Sequence, residues 1–162
     1  MSTEEAPRLT AEVLAAAYAE ARRCYPEEAC GLLLGPAEAP LCDEVRVCQN
    51  QQNALHQRDP RTFPRDARTA YALGAADLRL LDASLSGARP VKVVFHSHVE
   101  VGAYFSEEDQ RAALFEGEPV YPVDYLVIDC AAAGVRGAKL FRFVDGGFQE
   151  IAAYAGQAAG PA

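Results

Sequence analysis

The stretch Val91-Lys92-Val93-Val94-Phe95-His96-Ser97-His98 decides how this chain is read. Its first five residues are dense in β-branched and aromatic side chains, which predicts a buried strand. Successive strand residues face opposite sides of a sheet, so His96 and His98 share a face and Ser97 turns away. Two imidazoles this close on a rigid strand are placed to chelate one metal ion. The chain has three histidines in all, the third being His56 in a polar segment.

A catalytic zinc takes three protein ligands and leaves one position for water. A third ligand should therefore come from another element. Residues 99–109 offer Glu100, Glu107, Glu108 and Asp109, and spacing alone does not choose between them. Helix geometry favours Asp109. With Ser106 as N-cap, Asp109 is the third helical residue and its side chain returns toward the incoming chain, whereas Glu107 and Glu108 face water. Ser106 and Asp109 also match an ordinary capping pair, which needs no metal. The H-x-H pair alone fits two exposed polar residues equally well. The combination of H-x-H, ten residues and Asp, with Ser three positions before the Asp, is far more specific.

Outward from this segment, residues 66–84 carry apolar side chains near a 3.6 period and predict a helix, weakened by Gly74 inside it. Residues 49–64 are polar and turn-rich and predict a loop. Val45 and Val47 alternate with polar neighbours, and residues 30–34 form an apolar run beside Gly31 and Gly35, so both predict strands. A helix capped by Thr10 precedes them and ends at Pro26. Downstream, residues 125–128, 139–144 and 148–152 predict strands, the last two joined by a Gly146-Gly147 hairpin turn. Residues 1–8 and 153–162 are expected to be flexible. The expected fold class is α/β, one domain over residues 9–152 with a mixed sheet flanked by helices.

The chain has 162 residues, half of them hydrophobic, and a formal net charge of -8. Nucleic acid and anionic membrane surfaces are disfavoured as partners, because both demand clustered Lys and Arg. One local exception is the run Arg58, Arg61, Arg65 and Arg68, which suits either a solvated face or an acidic partner. Five cysteines occur without a C-x-x-C pair. No apolar run suits a signal core or a membrane span, so a reduced cytoplasmic setting is expected.

The block from His96-Ser97-His98 to Ser106-Glu107-Glu108-Asp109 resembles the signature of the JAMM (MPN-plus) metallopeptidase family. Residues 26–35, with Glu28, Cys30 and Gly31, resemble that family's E-x-C-G segment. Asn53 through Phe63 is similar to its connector, and the resemblance spans roughly residues 9–152. It implies a cytidine-deaminase-like fold with one zinc held by His96, His98 and Asp109. It further implies Glu28 as the catalytic acid/base and Ser106 as the group that stabilises the oxyanion. Two positions depart from the family pattern: Val99 and Phe105 stand where Pro is common. The approach to Ser106 looks closest to bacterial stand-alone members that act on sulfur-carrier proteins. The short 115–124 segment leaves no room for the large insertion of linkage-selective deubiquitinases.

A carboxylate beside such a metal can take a proton from water and return one to the leaving amine. Glu28 is preferred over Glu27 because alternation places it on the face of Cys30. The expected function is hydrolysis of a peptide or isopeptide bond after the C-terminal Gly-Gly of a ubiquitin-like or sulfur-carrier protein. A non-catalytic scaffold and a peptidase for other small peptides are the alternatives. Asn53, Tyr104 and Phe105 are candidate substrate contacts, with core packing an equal reading for the aromatic pair. Cys30 is read as a small buried hydrophobe. A homodimer is left open.

Overall fold

The computed structural model describes residues 5–158. In chain order its elements are β1 (Arg8–Leu9), α1 (Ala11–Cys24), β2 (Cys30–Leu34), β3 (Leu41–Cys42), β4 (Glu44–Cys48), α2 (Gln52–Arg58) and α3 (Ala75–Ser84). They continue with β5 (Val91–Val99), α4 (Glu107–Ala113), β6 (Leu114–Phe115), β7 (Glu118–Pro119), β8 (Asp124–Ala131), β9 (Gly134–Val144) and β10 (Gly147–Ala158).

Six strands form the central sheet in the order β10-β9-β8-β5-β2-β4. The β5–β8 pair is parallel and the others are antiparallel. This is the mixed α/β sheet expected. The β5 strand lies inside the sheet, so its residues are buried on both faces. Val93 and Phe95 join the core beneath α1, with Val13, Ala17 and Tyr18. Val94 joins the opposite core with Leu32, Val127 and Leu81 of α3. Alternation then carries His96 and His98 to the α3 side. Ser97 faces the other way and accepts a hydrogen bond from Ala29 N at 2.7 Å. Gly31 pairs with Phe95 across β2–β5. A Cβ there would lie 2.2 Å from the Phe95 ring, so glycine is what lets this ring fill the core.

The connector departs from the sequence expectation. Residues 49–64 include the short helix α2, and the helix expected over 66–84 begins only at Ala75. The reason lies in the side chain of Asn50. Its Oδ1 accepts from Gln52 N at 2.9 Å and Ala72 N at 3.0 Å, and its Nδ2 donates to Glu28 O at 2.9 Å and Ala70 O at 3.1 Å. Ala67 N donates to Asn53 Oδ1 at 2.8 Å, and Ala67 O accepts from Glu28 N at 2.7 Å. Backbone groups that a helix would need are taken by these partners, and side-chain competition of this kind defeats helical periodicity.

Strands reach into both of the segments expected to be flexible. Pro7 is buried and β1 pairs with β3. The β10 strand runs on through Ala158, paired with β9 as far as Ala158 opposite Gly134. Small residues there looked like a tail, but they suit close approach: a Cβ on Gly156 would sit 2.3 Å from Val135 O. Tyr18 Oη donates to Ala155 O at 2.8 Å and holds the strand on α1. Residues 1–4 and 159–162, also expected to be flexible, lie outside the described residues.

Candidate metal centre and catalytic cleft

The end of β5 and the start of α4 bring three side chains together. His96 Nε2 lies 3.1 Å from Asp109 Oδ1, and His98 Nε2 lies 3.1 Å from Asp109 Oδ2. One ligand atom from each residue falls within 4.8 Å of the others, and all three residues are buried. Two bonds of about 2.1 Å at a tetrahedral angle place zinc donors about 3.4 Å apart, so these separations are the right size.

Asp109 is fixed by a capping box. Ser106 Oγ accepts from Asp109 N at 3.0 Å, and Ser106 N donates to Asp109 Oδ2 at 3.0 Å. The two readings of S-x-x-D are therefore not exclusive, because one carboxylate both caps α4 and faces the histidines. Glu107 and Glu108, at the first two helical positions, line the cleft and lie outside the three-residue cluster.

The hydrogen bonding tests whether a cation fits. His98 Nδ1 is 3.0 Å from Gly102 O, which can only accept, so Nδ1 carries a proton. In the neutral ring Nε2 then turns a lone pair toward a carboxylate oxygen. Two acceptors at that range need a positive centre, which is either a second proton or a metal. His96 is stricter. Both of its ring nitrogens and Glu28 Oε1 are buried without a hydrogen-bond partner among the described residues. The 3.1 Å approach of His96 Nε2 to Asp109 lacks hydrogen-bond alignment. Buried polar atoms are rarely left so, and a cation held between His96, His98 and Asp109 would satisfy His96 Nε2, though not Nδ1 on the far side of the ring. The donor set fits zinc.

Burial lowers His96 from its ordinary value, which favours the neutral ligand form. Burial pushes Asp109 up, but the two neighbouring imidazoles, when they carry positive charge, outweigh it and hold the carboxyl far below the usual range. Tyr71 stacks on His96 at 4.4 Å between ring centroids, and Tyr104 meets His98 edge-on at 4.9 Å. These rings restrict both imidazoles. The role of Tyr71 was not foreseen, since its position read as one more apolar point in a helix.

Glu28 enters from the turn before β2, where Cys30 pairs with His96. It is 5 % exposed, and burial first, then Asp109, pushes its carboxyl up to about 9, with Arg65 pulling the other way. Its neighbour Glu27 is instead engaged by Asn53 Nδ2 at 2.9 Å. Glu28, His98, Ser106, Tyr104, Arg65 and Arg68 are among the lining of a cleft of about 420 Å³.

The candidate substrate contacts divide. Tyr104 is half exposed at the cleft. Phe105 is buried among Tyr125, Phe141 and Phe148, with its ring 5.1, 5.7 and 4.4 Å from theirs. Expectation of a substrate contact at Phe105 is corrected by this packing: adjacent residues alternate, and the outward place belongs to Tyr104. Asn53 is occupied in ordering the connector. His56 is bonded to Phe63 O at 2.7 Å and lies outside the three-residue cluster. Burial pushes the Cys30 thiol well above its ordinary value, which suits a packing role.

The fold and cluster together define a protein with three side chains that could hold a metal ion at one end of a mixed sheet. The family described as prokaryotic homologs of the JAB domain matches residues 10–140, and the chain belongs to that family. Curated relatives in Mycobacterium bovis and Mycobacterium tuberculosis are named CysO-cysteine peptidase. They are 27 % identical over 143 residues, 88 % of this chain and 86 % of theirs. Two solution structures share the fold. Protein DSY2949 from Desulfitobacterium hafniense has a TM-score of 0.59 at 23 % identity, covering 88 % of this chain and 87 % of that one. A protein from Salinibacter ruber has a TM-score of 0.57 at 20 % identity, with the same coverage. No helix among the described residues is long and apolar enough to cross a membrane.

Proposed function

We propose that this protein is a zinc-dependent peptidase that cleaves the bond after the C-terminal Gly-Gly of a ubiquitin-like or sulfur-carrier protein. The observation that carries the reading is the convergence of His96, His98 and Asp109 beside an unpaired, buried Glu28 carboxyl. Support for the carrier comes from the family and from relatives named for a CysO-cysteine bond.

His96 Nε2, His98 Nε2 and an Asp109 oxygen would hold the zinc. When bound, it supplies positive charge that polarises a scissile carbonyl and lowers the pKa of water beside it. Glu28 accepts the proton from the attacking water and returns it to the leaving nitrogen. A carboxyl raised by burial is suited to the return step, while a nearby cation draws it down toward working pH. Ser106 Oγ already accepts from Asp109 N, so its own hydroxyl hydrogen remains to donate toward the oxyanion.

The test is incubation of the zinc-loaded protein with a carrier extended past Gly-Gly, followed by mass spectrometry, with zinc content measured in parallel. Cleavage after the second glycine at catalytic protein concentration is expected. Stoichiometric zinc without cleavage would favour a scaffold. His98→Ala should abolish both zinc and turnover.

A further inference from the structure

The basic run noted in the sequence is split by the fold. All four arginines are exposed, but Arg58 and Arg61 lie around the end of α2, whereas Arg65 and Arg68 line the same cleft as Glu28 and His98. Arg65 is steadied by its Nη1, which donates to Thr69 O at 3.2 Å. Its Nε forms a loose ion pair with Glu108 Oε1 at 3.7 Å, beyond hydrogen-bond range. Glu108 has a closer partner in Arg111 Nη1 at 2.6 Å. The Arg68 guanidinium makes no ion pair or hydrogen bond among the described residues. Two guanidinium groups thus face a cleft whose other charges are carboxylates: Glu28, Glu107 and Glu108.

We infer that Arg65 and Arg68 form a carboxylate subsite, selecting substrates whose leaving group is a single C-terminal amino acid with a free α-carboxylate. This rests on the peptidase reading above and deepens it. In such a substrate the carboxylate is separated from the scissile nitrogen by one carbon, so it must enter the cleft close to Glu28. Hydrolysis breaks the C–N bond. The water hydroxyl goes to the glycine carbonyl carbon and the proton to the amine, so the carboxylate stays anionic throughout. In a site so rich in carboxylates, such an anion needs a cation to remain bound. The planar fork of arginine matches it with paired N–H donors. The cleft volume of about 420 Å³ is in the range of small-ligand sites. An acidic carrier surface would instead meet the outward Arg58 and Arg61.

The test uses zinc-loaded Glu28→Gln protein, which should bind without turnover. A peptide ending in Gly-Gly-Ala is titrated calorimetrically as its free acid and as its C-terminal amide. The acid should bind about 10-fold or more tightly, the size of one charge-assisted hydrogen bond. Adding Arg65→Ala with Arg68→Ala should bring the acid-to-amide ratio toward one, while Arg68→Lys alone keeps part of it. Zinc content and circular dichroism verify that each variant is folded. Equal binding of acid and amide before the arginines are replaced would overturn the subsite. So would a preference that survives the double replacement, since the carboxylate would then be sitting on the metal. Binding that falls with salt equally for acid and amide points to an acidic partner and also counts against it. The two readings separate in wild-type protein. Cleavage with no acid preference overturns the subsite alone, and an arginine-dependent preference with no cleavage overturns the peptidase alone.

Discussion

Glu28 is buried, unpaired and close enough to Asp109 to feel its charge. A structural carboxylate in that position would be a liability, because its buried Oε1 has no partner among the described residues. Glu28→Gln keeps the shape and removes the titrating group. It should retain zinc and lose roughly 10²–10⁴-fold in turnover, read by steady-state kinetics beside elemental analysis. Ser106 has two jobs that one substitution can separate by readout. Ser106→Ala should cost about 1 kcal/mol of stability through the lost cap, measured by urea unfolding. If the hydroxyl also serves the oxyanion, turnover falls by roughly 10–1000-fold. A rate unchanged at equal zinc would leave Ser106 as a cap only. That the histidine pair shares a face was legible because strand alternation is a local rule, whereas the meeting with Asp109 was expected from the family resemblance more than from cap geometry. Phe105 was not legible, because which of two adjacent aromatics faces inward depends on Tyr125, Phe141 and Phe148, far away in sequence.

At the scale of elements, the segment between α2 and α3 is held by the side chains of Asn50, Gln52 and Asn53, and Asn50 makes the most bonds. Asn50 makes four hydrogen bonds, one of them to the Glu28 carbonyl. Asn50→Ala would strand several buried backbone groups and should destabilise the protein by about 3 kcal/mol. Amide exchange at Ala72 should accelerate, and activity should fall with zinc retained. The sequence reading placed a helix over this segment because Ala67, Ala70, Tyr71 and Leu73 fit its period. Periodicity counts apolar positions and is blind to a distant Asn that claims the backbone. By contrast, the β9–β10 hairpin was readable from Gly146-Gly147 and the flanking strands, although its far end was not. The small and polar residues at 155–158 carry no strand signature, and it is pairing with β9 and bonds from Tyr18 and Arg22 of α1 that order them.

Across the whole molecule, α1 and β10 are tied by the Tyr18 hydroxyl on Ala155 O. Burial first, and then Tyr154, pushes Tyr18 from 10.0 up to about 12. A raised folded value means that the native state holds this proton longer than the unfolded chain does. Its contribution to stability is therefore complete below about pH 10 and is lost as pH climbs from there through about 12. Alkaline unfolding monitored by circular dichroism should show this dependence, and Tyr18→Phe should make it shallower by one group's share, since Tyr125 and Tyr154 are also pushed up to about 12. The two metal-side aromatics have another use. The chain has seven tyrosines and no tryptophan, so nothing brighter masks phenol emission. Tyr71 and Tyr104 lie against the two imidazoles that would grip the ion. Ultraviolet fluorescence should then change as a chelator strips the protein, making ion occupancy visible in a cuvette without label or substrate.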